Sequence, residues 1–270
     1  MSQLAVDGFR AEREAILAIA GDLSAEEWLL PSACAGWSVR DVMGHMACTL
    51  HGVIDPAFLP DTTQGTERGM EPAVAERRTW PIEAVIEEYA TYSGQAADVF
   101  ASVQEPPLSE TMLPMGDLGT HPMSILASTF LFDGYTHLRN DILAPTGSIE
   151  RPQPPRDEQR LRPTIEWMLA GLPWMCATAL AGVVDRPLVL TLDGPGGGTW
   201  TIAPGGDDGR VSVTETPFTD TTAADAVATA HSTDHDFVIW GTRRAPWRNS
   251  VKIEGDEAYA ARVLDAIKII

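Results

Sequence analysis

Gly36-Trp37-Ser38-Val39-Arg40-Asp41-Val42-Met43-Gly44-His45-Met46 decides how the N-terminal half of this chain is read. Ser38 with Asp41 three positions later has the shape of a capping box, in which hydroxyl and carboxylate satisfy each other's backbone N–H groups. The pattern predicts a helix from Val39 to about His51. His45 falls in its interior, and Gly44 removes bulk beside it. A histidine between Met43 and Met46 reads, taken alone, as a satisfied core residue. It becomes a metal-ligand candidate only if other ligands converge on it.

Working outward, Leu4, Phe9, Ile16, Leu17 and Ile19 form an apolar stripe upstream, and Ser24-Ala25-Glu26-Glu27 repeats the capping shape. Downstream, residues 55–79 mix Pro, Gly, Thr and charge without a period and predict a loop or lid. Pro81 suits a helix start, and Ile82, Val85, Ile86, Tyr89, Tyr92 and Ala96 recur at helical spacing to about Val103. Residues 105–120 predict a second loop, and Pro122 opens a further helix to about Leu143. That helix contains Phe132-Asp133-Gly134-Tyr135-Thr136-His137-Leu138-Arg139-Asn140-Asp141. Asp133 and His137 stand four apart and share a helix face. They offer a carboxylate and an imidazole to one cation, with His45 as the natural third ligand from another helix. Two histidines and a carboxylate leave coordination positions open, as catalytic divalent sites require. The same spacing also suits a plain surface hydrogen bond. His51 lies six residues past His45 and points elsewhere, and His121 beside Pro122 reads as a cap.

Segment 145–163 carries Pro145, Pro152, Pro154, Pro155 and Pro163 with mixed charge, the pattern of a linker. A fifth helix is expected from about Pro163 to Val184, bridging the halves, with Pro173 kinking or dividing it. After Asp185 the texture changes. Leu188, Leu190 and Leu192 alternate with Val189, Thr191 and Asp193 as a strand does. Gly194–Gly198 predicts a turn and lacks the Lys-Ser/Thr of a phosphate loop. Trp200 and Ile202, Val211 and Val213, and Ala226–Ala230 predict further strands, with a turn at Gly205–Gly209. Short helices are expected over Ser232–Trp240 and Asp256–Ile267. The domain expectation is a helical bundle over 1–150, a linker and bridging helix over 151–184, and a small α+β domain over 185–270.

Composition narrows the function. The 270 residues carry a formal charge of −19, which repels nucleic acid phosphate, and the basic groups Arg156/Arg160/Arg162 and Arg243/Arg244/Arg248 are too small for a nucleic-acid footprint. No apolar run nears the roughly 20 residues that span a bilayer, and Met1–Glu14 lacks a signal-peptide core. Cys34, Cys48 and Cys176 are odd in number and widely spaced, which suits a reducing cytoplasm rather than a disulfide framework.

The block from Glu27-Trp28 through Pro31-Ser32-Ala33-Cys34-Ala35-Gly36-Trp37-Ser38-Val39-Arg40-Asp41 to His45 resembles the mycothiol-dependent maleylpyruvate isomerase family. Phe237-Val238-Ile239-Trp240-Gly241, Arg243-Arg244 and Val251 to Asp256 are similar to the end of the sterol-carrier-like domain of many members. The resemblance implies a DinB-like up-down helical bundle followed by a small α+β sterol-carrier-like domain. It places His45 on the first metal ligand and Asp133, His137 and the following Asp141 on a Glu-x-x-x-His-x-x-x-Asp pattern. Here Asp stands where the family's carboxylate is typically Glu, one methylene shorter. The implied cofactors are a divalent metal, zinc first, and mycothiol. The implied activity is isomerisation, conjugation or lysis of a small electrophile, with Arg243 and Arg244 as candidates for substrate handling. A thiol-independent metal-dependent lyase or cyclase of specialised metabolism, or a non-catalytic small-molecule or lipid binder, are the alternatives. The expected partner is a small molecule, with no nucleic acid or membrane, and the chain a monomer or homodimer.

Overall fold

The predicted capping box forms. Asp41 N–H donates to Ser38 Oγ at 3.3 Å and the Asp41 carboxylate accepts from Ser38 N–H at 2.8 Å. It opens α2 (Val39–Ile54) in the computed structural model, which describes residues 2–59, 61, 65–205, 209–216 and 226–270. The described chain divides into two compact units, residues 1–155 and 156–270.

The first unit is helical. α1 (Ser2–Asp22), α2, α3 (Thr66–Arg77), α4 (Ile82–Ser102) and α5 (Leu126–Thr136) build it, and α5 runs directly into a π-helical turn, His137–Ile142. α2 is buried along most of its length because it packs against α4 and α3, while α1 packs against α5 and α4. Val42, Met46, Val85, Tyr89, Phe100 and Leu131 belong to the core they enclose. Arg139, wholly buried, pairs with buried Glu12 and lies over the Tyr135 ring at 4.0 Å. Removing either partner would strand a buried charge, so this pair fixes the π-helical turn against α1.

Three expectations change in this unit. The loop expected over 55–79 contains α3, although only Met70, Val74 and Arg77 among its described side chains are well buried. Its C-terminal end is held by ions instead. Arg77 Nε donates to Glu88 at 2.7 Å, and Arg78 Nε donates to Asp41 at 2.8 Å. The 105–120 loop contains a small hairpin, β1 (Met112–Pro114) with β2 (Thr120–Pro122), in which His121 pairs with Leu113. Because β2 takes Pro122, the following helix starts at Leu126 after a 3-10 turn over Met123–Ile125.

The second unit joins helices to a five-stranded sheet. The helix expected over 163–184 starts earlier, as α6 (Glu158–Met175), because Asp157 caps it by accepting from Arg160 N–H at 3.2 Å. It lies inside this unit, Pro173 sits in its last turn, and a short α7 (Ala177–Ala181) follows. β3 (Leu188–Asp193), β4 (Gly198–Ala203), β5 (Ser212–Glu215), β6 (Ala228–Thr233) and β7 (Lys252–Gly255) assemble in the order β5-β4-β3-β6-β7. β3 and β6 are parallel and the other pairs antiparallel. Both faces of β3 are covered, since Leu188, Val189, Leu190 and Leu192 are all buried. Gly194, at φ 128°, lets the β3–β4 turn fold over the Asp234 carboxylate, which accepts from Gly196 N–H at 2.7 Å. α8 (Asp234–Gly241) and α9 (Glu257–Ala266) complete the unit, capped by Thr233 and Asp256. The turn expected at Gly205–Gly209 includes residues 206–208, which lie outside the described residues.

Ser38→Ala removes one half of the box that starts α2. The expected loss is about 1 kcal/mol of unfolding free energy, read from urea denaturation, and an unchanged midpoint would refute the role given to the cap.

Candidate metal centre

α2 presents His45, and α5 with its π-helical turn presents Asp133 and His137. One ligand atom from each of the three lies within 4.8 Å of the others. Asp133 Oδ1 is 3.2 Å from His45 Nε2 and 3.5 Å from His137 Nε2. The two imidazoles meet edge to face, ring centroids 4.9 Å apart. A tetrahedral ion with bonds of roughly 2.0–2.1 Å holds its ligand atoms about 3.3 Å apart. Both separations from Asp133 lie close to that edge length, so the donor set fits a divalent cation in chemistry and in spacing. About a quarter of the Asp133 side chain stays exposed, which leaves an approach to the cluster.

The electrostatics point the same way. Burial would push Asp133 up, but the charges of His45 and His137 and their hydrogen bonds outweigh it and hold the carboxyl far below the usual range. Burial would push His137 down, but the Asp133 charge and the hydrogen bonds to Asp133, Asp141 and Cys34 raise it well above an ordinary imidazole.

The surroundings of the two imidazoles differ. His137 Nδ1 donates to Asp141 Oδ2 at 2.7 Å, and Cys34 Sγ lies 3.9 Å from the same nitrogen. Cys34, His137 and Asp141 form a second candidate ligand group, but Nδ1 and the carboxylate there are at hydrogen-bond length. His45 packs against Trp37, ring centroids 5.5 Å apart. Trp37 Nε1 donates to Glu71 of α3 at 2.8 Å, and Glu71 also accepts from Arg78, the residue that holds Asp41. Glu71 carries no signal in sequence, because its partners are distant in the chain and it lies on a segment without an apolar period.

His51 is engaged elsewhere. Its Nδ1 donates to Glu88 at 2.7 Å and its ring is sandwiched between Phe58 and Tyr92, at 4.0 and 3.8 Å. His121 donates to the Leu118 carbonyl at 2.8 Å. In the second unit, Arg243 has φ 61°, and its guanidinium donates to the backbone carbonyls of Ile267, at 2.7 Å, and Asp265. Arg244 N–H donates to the Ile239 carbonyl at 2.9 Å.

A helical unit with a two-histidine, one-carboxylate cluster, followed by a mixed α/β unit, is the class of protein these features define. Residues 9–126 match the family described as mycothiol maleylpyruvate isomerase N-terminal domain, the family that the sequence resembles. That span contains His45, while Asp133 and His137 follow it. The crystal structure of the mycothiol-dependent maleylpyruvate isomerase aligns over 94% of this chain and 93% of its own, with a TM-score of 0.55 and 14% identity. A histidine-to-alanine mutant of that isomerase aligns over the same shares, with a TM-score of 0.54 and 14% identity. No curated protein gives a match. The structural likeness covers both units and establishes the shared two-part fold. Among the described residues, no helix is long and apolar enough to cross a membrane.

The three thiols are unequal. Burial pushes Cys48 up to about 12 and also raises Cys176, whereas Cys34 is partly exposed. A thiol reacts as its thiolate, so iodoacetamide at neutral pH is expected to label Cys34 first and Cys48 last, read by peptide mass spectrometry. Equal labelling of Cys48 would contradict the burial described.

Proposed function

We propose that this chain is a metal-dependent enzyme that uses a low-molecular-weight thiol, mycothiol, to isomerise, conjugate or cleave a small electrophilic metabolite. The convergence of His45, Asp133 and His137 carries the reading. The family match over residues 9–126 supports it, as does a fold shared with a mycothiol-dependent maleylpyruvate isomerase. Two imidazoles and one carboxylate with vacant positions suit zinc. Once bound, such a cation lowers the pKa of an adjacent thiol or water and polarises a carbonyl.

The chain's own residues divide the remaining work. His45 and His137 would hold the cation through Nε2, and Asp133 through Oδ1. Trp37 walls one side against His45. The nucleophilic thiolate comes from the small thiol rather than from Cys48 or Cys176, whose burial keeps them protonated. Arg243 and Arg244, the two arginines singled out in the second unit, are the residues proposed to handle a carboxylate on the substrate, and Arg243 also braces the carbonyls of Asp265 and Ile267. A reducing cytoplasm, in which such a thiol stays reduced, is the proposed compartment.

Elemental analysis of the purified chain is expected to find about one divalent ion per chain, lost in His45→Ala. Turnover of maleylpyruvate or a related electrophile is expected to require both the ion and added mycothiol. Full activity in the metal-free chain would defeat the proposal. Metal-dependent turnover indifferent to thiol would point instead to a lyase or cyclase, and bound lipid with neither metal nor turnover to a carrier. Arg244→Ala is expected to raise KM for a carboxylate substrate about tenfold or more, the loss of one charge-assisted hydrogen bond, with kcat largely kept. An unchanged KM would remove Arg244 from the scheme.

A further inference from the structure

The two imidazoles of the cluster face the same oxygen of Asp133, yet what lies behind them differs. Behind His137, Nδ1 meets Asp141 Oδ2 at 2.7 Å, and Asp141 is 1% exposed. Asp141 is itself held in place. It sits in the π-helical turn, its backbone carbonyl accepts from Ala33 N–H at 3.0 Å, and the neighbouring Arg139 is locked to Glu12. Behind His45, Nδ1 is buried and has no hydrogen-bond partner among the described residues. On that side of the ring only packing holds it, with Trp37 against it.

We propose that Asp141 is the positioning residue of the centre. By accepting the Nδ1 proton it keeps the His137 ring in one orientation and leaves Nε2 as the nitrogen that faces the ion. A carboxylate behind a ligating imidazole also raises its basicity, and losing such a partner typically weakens metal binding 10- to 100-fold. The two histidines are therefore unequal ligands: a carboxylate backs the Nδ1 of His137, and packing alone backs that of His45. His137 and Asp141 both lie in the buried π-helical turn. They stand at i, i+4, and every residue from Leu138 to Ile142 is buried. Cys34 Sγ, at 3.9 Å, is the other group near Nδ1, and a thiol is a weak hydrogen-bond partner.

The inference rests on the reading of the cluster as a metal site, and the experiment separates the two. The full-length chain is titrated with Zn2+ and Co2+ against a competing chelator, as wild type, Asp141→Asn and Asp141→Ala, with circular dichroism confirming the fold of each. Affinity is expected to fall in the order Asp, Asn, Ala, by about tenfold or more for Ala, with a changed visible spectrum of the Co2+ forms. A purely structural role would not move the ring nitrogens. Histidine 15N resonances of the wild-type chain loaded with 113Cd2+ are therefore the second readout, and it needs no variant. Coupling of cadmium to His137 Nε2, with a proton on Nδ1, is expected. Coupling through Nδ1, or variants that bind within twofold of wild type, would overturn the role of Asp141 and leave the metal reading standing. A wild-type chain that binds neither Zn2+ nor Co2+ would overturn both.

Discussion

A single carboxylate oxygen, Asp133 Oδ1, lies against the Nε2 atoms of two imidazoles that belong to different helices. Everything else in the first unit can be understood by what it contributes to that convergence. Three polar side chains meeting inside a helical bundle cost desolvation, which their mutual charge and hydrogen bonds must offset. The charges and hydrogen bonds of the cluster hold the Asp133 carboxyl low and the His137 imidazole high, against the effect of burial.

The supports come in two kinds. Local ones are legible in sequence. The Ser38/Asp41 box announces α2 because a hydroxyl and a carboxylate three residues apart satisfy backbone groups whatever surrounds them. The four-residue spacing of Asp133 and His137 likewise fixes a shared face before any tertiary contact exists. The meeting of that face with His45 is a tertiary event: the need for a third ligand from another helix makes His45 a candidate, and the motif around Gly36–Asp41 with its resemblance to a known family strengthens it.

Other features left no local trace. α3 hides in a segment with little apolar period, since ion pairs of Arg77 with Glu88 and Arg78 with Asp41 secure it more than a buried face does. The β1–β2 hairpin is three residues a side and includes prolines, so alternation has no length over which to show. β7 is four residues long, mostly exposed at a sheet edge, and escapes for the same reason. In the second unit, β3 was plain because its leucines alternate. Arg243 could not be read as a brace, because the carbonyls it serves belong to a segment more than twenty positions away. The Glu71 contact to Trp37 was equally invisible, being exposed and distant in the chain.

That last contact has an evolutionary side. Asp41 begins the helix that bears His45 and also receives Arg78, which shares Glu71 with the indole of Trp37. The wall beside the centre is thereby fastened to a separate helix that contributes no ligand of its own. Drift in α3 can reshape which molecules are admitted while the coordinating side chains stay under their own constraint. Under the proposed function, one scaffold can diversify its choice of substrate and keep its metal-holding side chains.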